Sequence, residues 1–531
     1  MLVILGTSSV KMHSVVIKNM TLFFTIILVS SCVSLPQQHS DLKVNVMPVS
    51  FYENTALAKI FKQSEVHAHN YSGNTLLRNG HQAFIERLYL ADVAQKTIDV
   101  QYFIWNSDQT GQLLLQKLLH AADRGIKVRI LVDALTVAQR NDQLAILDHY
   151  PNVYIRVYNP STARTLVGKA VNFVFDFDRL NQRMHNKSYI IDGTVAVTGG
   201  RNIGDEYFFY SKDVNFDDVD LLSVGPVVQQ VAESFNEYWN SNWAIPITDL
   251  VKVQINEQED KDIQKFVDAN LSDFLGVKLI DDSAQLLKHF SDLNKKLIWA
   301  PTTFVADSPA SEKNLKNNQA KAVATKLAEI VVNSKEEVLI ESAYLSLDGY
   351  ALSFFKTLQN KGVQIRALTN SMATNNLIIN HASYAMFRDE MLNSGFNLFE
   401  LKPTNYDCLN SVEKSYECSD KKKVALHAKS AVMDNKIMYI GSLNFNLRSA
   451  YINTESAMFI ESTELAEQLT NQILKNMQLV RSWQVTKVGE QVMWMTQEKN
   501  EFNVTSQEPE TTWLERVEVD VLTKMPGTEY Y

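Results

Sequence analysis

The chain repeats one alternation of apolar and polar positions. Residues 97–104 form a β-branched run that reads as a strand, residues 113–122 carry the spacing of an amphipathic helix, Gly125 stops it, and a second strand follows. Residues 338–345, residues 352–360, Gly362 and the next run repeat that order. The correspondence extends to the letters, since residues 124–133 (RGIKVRILVD) return as residues 361–370 (KGVQIRALTN). Each copy is a βαβ unit, so the expected fold class is α/β, with one domain duplicated and each copy a mixed β-sheet flanked by helices.

The other segments read differently. Residues 250–335 are richer in charge and contain the breaks Ala300-Pro301 and Ser308-Pro309, which predicts helical insertions and connectors. In the tail, Trp513, Val517 and Val521 recur at a four-residue spacing that suits a short helix lying on the protein or on a membrane surface, with packing on the protein expected. At the other end, residues 21–29 (TLFFTIILV) follow Lys11 and Lys18 and precede a polar stretch, the shape of a secretory signal. The apolar stretch through Leu35 falls short of the about 20 residues a membrane-crossing helix needs. The expected organisation is a signal over 1–31, an extension over 32–80, a first domain over 81–248, a helical connector over 249–330, a second domain over 331–485 and a tail over 486–531.

Composition narrows the chemistry. With 531 residues, 45% hydrophobic and 21% charged, the chain has enough apolar mass for two or more cores, which excludes global disorder. Lys and Arg total 51 against 60 Asp and Glu; a net charge of −9 disfavours nucleic acid as the main partner. Three cysteines and eleven scattered histidines support neither a disulfide scaffold nor a zinc-finger array. Cys408 and Cys418, ten positions apart, are expected to form a disulfide after export.

About sixty residues past each repeated glycine the pattern His-x-Lys-x4-Asp occurs, as His185, Lys187 and Asp192, then as His427, Lys429 and Asp434. Residues 198–202 (TGGRN) and 440–444 (IGSLN) follow, bringing Asn202 and Asn444 to equivalent places. These paired motifs resemble the phospholipase D superfamily, and residues 183–188 (RMHNKS) with 200–208 (GRNIGDEYF) look most like its bacterial cardiolipin synthase C type branch. Residues 29–32 (VSSC) resemble the bacterial lipobox, with Cys32 as the acylated residue. The resemblance implies two phospholipase D-like domains packed as a pseudo-twofold pair with the site at their interface.

The spacing has its own physical sense. Read as a strand, residues 185–191 place His185 and Lys187 on one face. Asp192 lies seven residues from His185, roughly 23 Å along an extended chain, in an Asp192-Gly193 turn, and Asp434-Asn435 repeats that placement. Both motif aspartates therefore read as structural members of the site. An attacking histidine also needs a carboxylate on its second nitrogen. Glu455 and Asp218, each downstream of the histidine of its own copy, are the candidates, with Asp220 the alternative to Asp218.

By resemblance, His185 attacks phosphorus to give a covalent phosphohistidine. His427 protonates the leaving oxygen and later deprotonates the incoming alcohol, while Lys187, Lys429, Asn202 and Asn444 bind the phosphoryl oxygens. No metal or other cofactor is expected. The leading function is phosphatidyl transfer that makes cardiolipin from phosphatidylglycerol, with phosphatidylethanolamine a second candidate donor. Hydrolysis to phosphatidic acid is the nearest alternative and a secreted nuclease the next. The expected location is the bacterial cell envelope, periplasm-facing, as a lipoprotein of the outer membrane.

Overall fold

A computed structural model describes residues 44–62, 70–137, 139–161, 176–254, 256–311, 319–403, 423–498 and 501–531. Cys32, Cys408, Cys418 and the apolar N-terminal run lie outside the described residues. Among the described residues no helix is long and apolar enough to cross a membrane.

The first copy contributes β1 (Tyr71–Leu77), β2 (Thr97–Tyr102), β3 (Lys127–Asp133), β4 (Val153–Tyr158), β5 (Ser188–Ile191), β6 (Val195–Gly199), β7 (Val214–Asp217), β8 (Asp220–Val224) and β9 (Ala244–Pro246). After β10 (Ile298–Ala306), the second contributes β11 (Glu337–Ser342), β12 (Gln364–Asn370), β13 (Asn397–Leu401), β14 (Lys423–Leu426), β15 (Lys429–Met433), β16 (Ile437–Gly441) and β17 (Ser456–Glu461). A terminal meander, β18 (Ser482–Val488), β19 (Gln491–Glu498) and β20 (Glu501–Thr505), extends the second sheet. The order β4-β3-β2-β5-β6-β8 is matched by β13-β12-β11-β15-β16-β17, parallel across the βαβ units and antiparallel elsewhere. The duplication legible in the letters is thus a duplication of sheet topology.

Local chemistry explains the βαβ units. Asp108 caps the helix Gln109–Asp123 by accepting from the Gly111 N–H, and Asp348 caps Gly349–Gln359 by accepting from that of Ala351. Each helix is followed by a glycine at positive φ, Gly125 at 84° and Gly362 at 90°, where a side chain would be strained. The chain then enters β3 or β12, whose apolar residues are buried on both faces, as parallel strands under helices must be.

Two expectations need correction. The segment around Ala300-Pro301 is not a break: β10 pairs with β1 through residues 298–301 and with β17 through residues 302–306, joining the two halves into one sheet of 18 strands among the described residues. Pro301 is tolerated because β10 changes partners there, so a missing donor falls at a junction between ladders. In the tail, the helix Trp513–Leu522 forms behind a Thr512/Glu515 capping box, but Trp513, Val517 and Val521 face outward; Val519, on the other side, packs against Met372 and Ala382.

The two halves share a core. Leu131, Met184, Val231 and Phe235 from the first pack in one cluster with Leu339, Met458, Leu469 and Ile473 from the second. Each such side chain stabilises the assembly by about 1.5–3 kcal/mol on burial, so the halves are held in register by apolar contact. That register places the polar groups described next.

Candidate active site

The strand expected from His185 onward begins only at Ser188, and the second copy breaks between β14 and β15 at His427-Ala428. The gap has a cause in each case. The backbone N–H of His185 donates to Thr454 O at 2.9 Å, and that of His427 to Asp217 O at 2.7 Å, so both histidine segments leave their own sheet to bond the opposite half. Thr454 and Asp217 immediately precede Glu455 and Asp218. Each histidine is thereby tied to the residue beside the other copy's carboxylate.

The carboxylates consequently cross over. His185 Nδ1 lies 2.8 Å from Glu455 Oε2, and His427 Nδ1 lies 2.6 Å from Asp218 Oδ2. Both carboxylates expected from sequence are present, but the within-copy pairing is wrong, because each histidine segment is bonded to the opposite half beside that half's carboxylate. Asp220, the alternative, instead pairs with Arg87 at 2.7 Å.

The hydrogen bonds set the tautomers. His185 Nδ1 also lies 3.0 Å from Ser442 O, and a carbonyl and a carboxylate both accept, so Nδ1 carries the proton and Nε2 keeps its lone pair. Among the described residues His427 has Asp218 as its only acceptor at Nδ1, with Lys429 Nζ 3.2 Å away on the same nitrogen. Ser442 Oγ donates to Glu455 Oε2 at 2.5 Å, fixing the acid from behind. At the equivalent position of the first copy, a Cβ on Gly200 would sit 2.1 Å from Asp218 Oδ1, so that position must lack a side chain for the shorter acid to enter.

Around these dyads lie Lys187 and Lys429, both fully buried, donating to the carbonyls of His185 and His427. Asn202 accepts from the Ile104 N–H at 3.1 Å, and its buried Nδ2, near the Tyr207 hydroxyl, makes no hydrogen bond of good geometry among the described residues. The Asn444 side-chain oxygen is similarly unpartnered. A buried donor such as Asn202 Nδ2 with an unmet hydrogen bond carries a cost that a bound oxyanion relieves, whereas the Asn444 oxygen calls for a donor. Aromatic rings close the walls, Phe103 at 5.1 Å from the His185 ring and Tyr207 and Phe216 each at 5.1 Å from His427.

The motif aspartates lie elsewhere, as their spacing required. Asp192, at φ 50°, accepts from the N–H groups of Gln95, Lys96 and Thr97 at 2.6–3.0 Å. Asp434, at φ 52°, does the same for Lys335, Glu336 and Glu337. Each staples the start of β2 or β11 to the far end of the motif strand.

The family model described as "Cardiolipin synthase, PLD-like domain" matches residues 89–239 and again 327–477, one match per half. The chain belongs to the phospholipase D superfamily. It is 34% identical over 449 residues to cardiolipin synthase C of Escherichia coli (strain K12), covering 84% of this chain and 93% of that protein. It is 24% identical over 397 residues to a cardiolipin synthase of Clostridium perfringens (strain SM101 / Type A), covering 75% of this chain and 68% of that protein. The crystal structure of phosphatidylserine synthase from Haemophilus influenzae Rd KW20 shares the fold, with a TM-score of 0.52 at 12% identity, covering 85% of this chain and 92% of that one.

In this phospholipase D-type centre the charges interlock. Burial drives Lys187 down to about 7 and Lys429 to about 8. Burial also lowers His185, and with the Lys429 charge pushes His427 down to about 3, so both rings are neutral in the free protein. Burial alone would raise Asp218, but His427, Lys429 and Arg201 outweigh it and hold the carboxylate at about 2; Glu455 is held down by His185 and Lys187. The resting site is thus two anionic carboxylates, two neutral imidazoles and two lysines whose depressed values leave them only partly charged near neutral pH. Among the described residues no group of three or more His, Cys, Asp or Glu side chains is placed to share a metal ion.

Three supporting residues escaped the sequence reading. Asp133 accepts from the Met184 N–H at 3.0 Å, and Asn370 brackets Leu426, accepting from its N–H at 2.8 Å and donating to its carbonyl at 2.7 Å. They hold the residue before each histidine, and their matching places at the ends of the repeated RGIKVRILVD and KGVQIRALTN segments were the available signal. Asp307, just beyond β10, accepts from the Glu455 N–H at 2.8 Å, and burial raises it to about 6. No local motif marks it.

Proposed function

We propose that this protein is a phosphatidyltransferase that makes cardiolipin from phospholipids through a covalent phosphohistidine. The observation that carries the reading is the crossed pair of His–carboxylate dyads, one from each half, beside two buried lysines, and the 34% identity to a cardiolipin synthase directs it to lipid. His185 Nε2 attacks phosphorus of the donor lipid, and its imidazolium is stabilised by Glu455 through Nδ1. The free protein holds His427 neutral, so the negative charge of the bound phosphodiester is what raises its proton affinity enough to protonate the departing glycerol oxygen. His427, now neutral, takes the proton of the incoming lipid hydroxyl, which displaces His185 and forms the new diester. Lys187, Lys429, Asn202 and Asn444 meet the charge on the non-bridging oxygens.

The donor is assigned as phosphatidylglycerol, with phosphatidylethanolamine the second candidate. The setting is the periplasmic side of a bacterial envelope, with Cys32 as a lipid tether to the outer membrane and Cys408–Cys418 as a disulfide. Purified protein incubated with labelled phosphatidylglycerol and resolved by thin-layer chromatography tests the reading. Cardiolipin and free glycerol are expected; phosphatidic acid alone would move the assignment to hydrolysis.

A further inference from the structure

The helix Trp513–Leu522 has two apolar sides, and the protein uses one. Inward, Val519 is buried against Met372 and Ala382, with Leu522 partly buried beside it. The segment leading into the helix is pinned by Glu508, which accepts from Arg388 at 2.5 Å. Outward, Trp513 is 64% exposed, Leu514 60%, Val517 48% and Val521 56%. At about 100° per residue these four fall within an arc of roughly 100° that contains none of the helix's charged residues, because Glu515, Arg516, Glu518 and Asp520 all project outside it. A helix already docked through one side gains nothing in folding from a second apolar stripe, and a contiguous exposed stripe of this kind marks an interaction surface.

The exposed face adjoins a cavity. Leu522 at the end of the helix, with Met525 and Tyr530 just beyond it, lines a cavity of 780 Å³ that is also lined by Gln182, Arg448 and Ile452, from the halves that make the catalytic centre. Gln182 lies three positions before His185, and Arg448 donates to Asn181 O at 3.0 Å, four positions before His185. A cavity of this size is that of a drug-sized ligand, which accommodates a glycerophosphate headgroup while long acyl chains remain in the bilayer. Met525, 51% exposed, and Tyr530, 41% exposed, line the cavity itself, so the apolar exposure of the helix continues into its lining. Trp is suited to the headgroup boundary, with an apolar body and a polar N–H.

We propose that the outer face of the helix Trp513–Leu522 is a membrane-docking face that seats on a phospholipid bilayer and presents the adjoining cavity to headgroups. The proposal rests on the lipid-transfer reading above. Because the arc carries no cationic residue, docking is driven by apolar burial, and zwitterionic lipid suffices.

The test uses the full chain with vesicles of phosphatidylcholine, unmodified or brominated on the acyl chains. Bromolipid should quench tryptophan emission in the parent, and Trp513→Phe should lose most of that quenching, whatever other segment tethers the protein. Undiminished quenching in Trp513→Phe overturns the proposal. Separately, Val517→Asp with Val521→Asp should lower turnover of long-chain phosphatidylglycerol in vesicles at least tenfold, while turnover of monomeric short-chain phosphatidylglycerol stays within twofold. An equal loss on both substrates makes the helix merely structural, and a change in oligomer size with bromolipid quenching intact makes the face a self-interface; either result overturns it. A parent inactive on both lipids defeats the transfer reading instead, and the quenching comparison then decides docking alone.

Discussion

The two dyads face each other across a pseudo-twofold arrangement, yet replacing their carboxylates by amides should have unequal consequences. In Glu455→Gln, His185 Nδ1–H still has Ser442 O at 3.0 Å to hold the tautomer, so only the charge-assisted part of the interaction is lost. A hydrogen bond to a charged group contributes about 1.5–3 kcal/mol, which lowers phosphohistidine formation by roughly 10- to 150-fold. In Asp218→Asn, His427 Nδ1 keeps no acceptor that can only accept, and its other neighbour on that nitrogen, Lys429 Nζ at 3.2 Å, is a donor. The introduced amide can donate to Nδ1 and turn the ring to the wrong tautomer, a change that costs about 10⁴-fold in the serine-protease triad. Loss of kcat should therefore be at least tenfold greater for Asp218→Asn. Rapid-quench kinetics with lipid labelled in its phosphate distinguishes the steps. Asp218→Asn should accumulate acid-labile phosphohistidine because the second half-reaction needs His427, whereas Glu455→Gln should slow its formation. Thermal midpoints close to the parent's would show both variants folded. If Glu455→Gln accumulates the intermediate and Asp218→Asn does not, the roles of the two histidines are reversed; equal losses would refute the tautomer argument.

Other outcomes follow from the same geometry. Lys187 at about 7 and Lys429 at about 8 are depressed, so each is charged below its value and loses its proton as pH rises through it; kcat/KM should begin to fall above about pH 7 and fall more steeply above about pH 8, and kcat less, because bound phosphate keeps the ammonium groups charged. Asp192→Ala should destabilise by about 2–4 kcal/mol and Asp434→Ala by about 1, since two of the three donors to Asp434 are exposed. Urea denaturation reads the difference, and a loss of kcat in Asp192→Ala with unchanged stability would place that residue in the chemistry after all. Gly200→Ala should displace Asp218 and lower kcat at least a hundredfold with little change in global stability, checked by the same assays. Turnover should persist in EDTA; complete loss restored by one divalent ion would sink the assignment of phosphate charge to the lysines.

What could be read from the sequence was what the chain encodes locally. The βαβ grammar of residues 97–133 and 338–370 depends on side-chain periodicity and caps, and the turn roles of Asp192 and Asp434 depend on the reach of an extended chain; all of these appear in the structure. The pairing of His185 with Glu455 spans 270 positions, and nothing in the spacing of either residue records which strand ends meet. β10 was misread because Pro301 signals a break wherever its missing donor matters, and here it falls where one ladder gives way to another. The tail helix was anticipated from its period, but a period does not say which of two apolar sides faces the protein.

The crossing of the dyads has a consequence for how such a site works. A backbone that repeats itself would give two equivalent histidines, and double displacement needs two unequal ones, since one must hold the covalent group while the other moves a proton first outward and then inward. The inequality comes from small differences laid on the common frame: Ser442 where the first copy has Gly200, the longer Glu455 where it has Asp218, and a carbonyl acceptor at His185 Nδ1 that His427 lacks among the described residues. Because each half supplies the carboxylate for the other's histidine, neither half holds a complete dyad by itself. The apolar cluster that joins Phe235 and Met184 to Leu469 and Met458 is therefore part of the catalytic apparatus in an energetic sense, as it fixes the register in which Thr454 and Asp217 receive the histidine backbones. Loosening that cluster should weaken both half-reactions together, whereas altering Ser442 should weight against the His185 step alone.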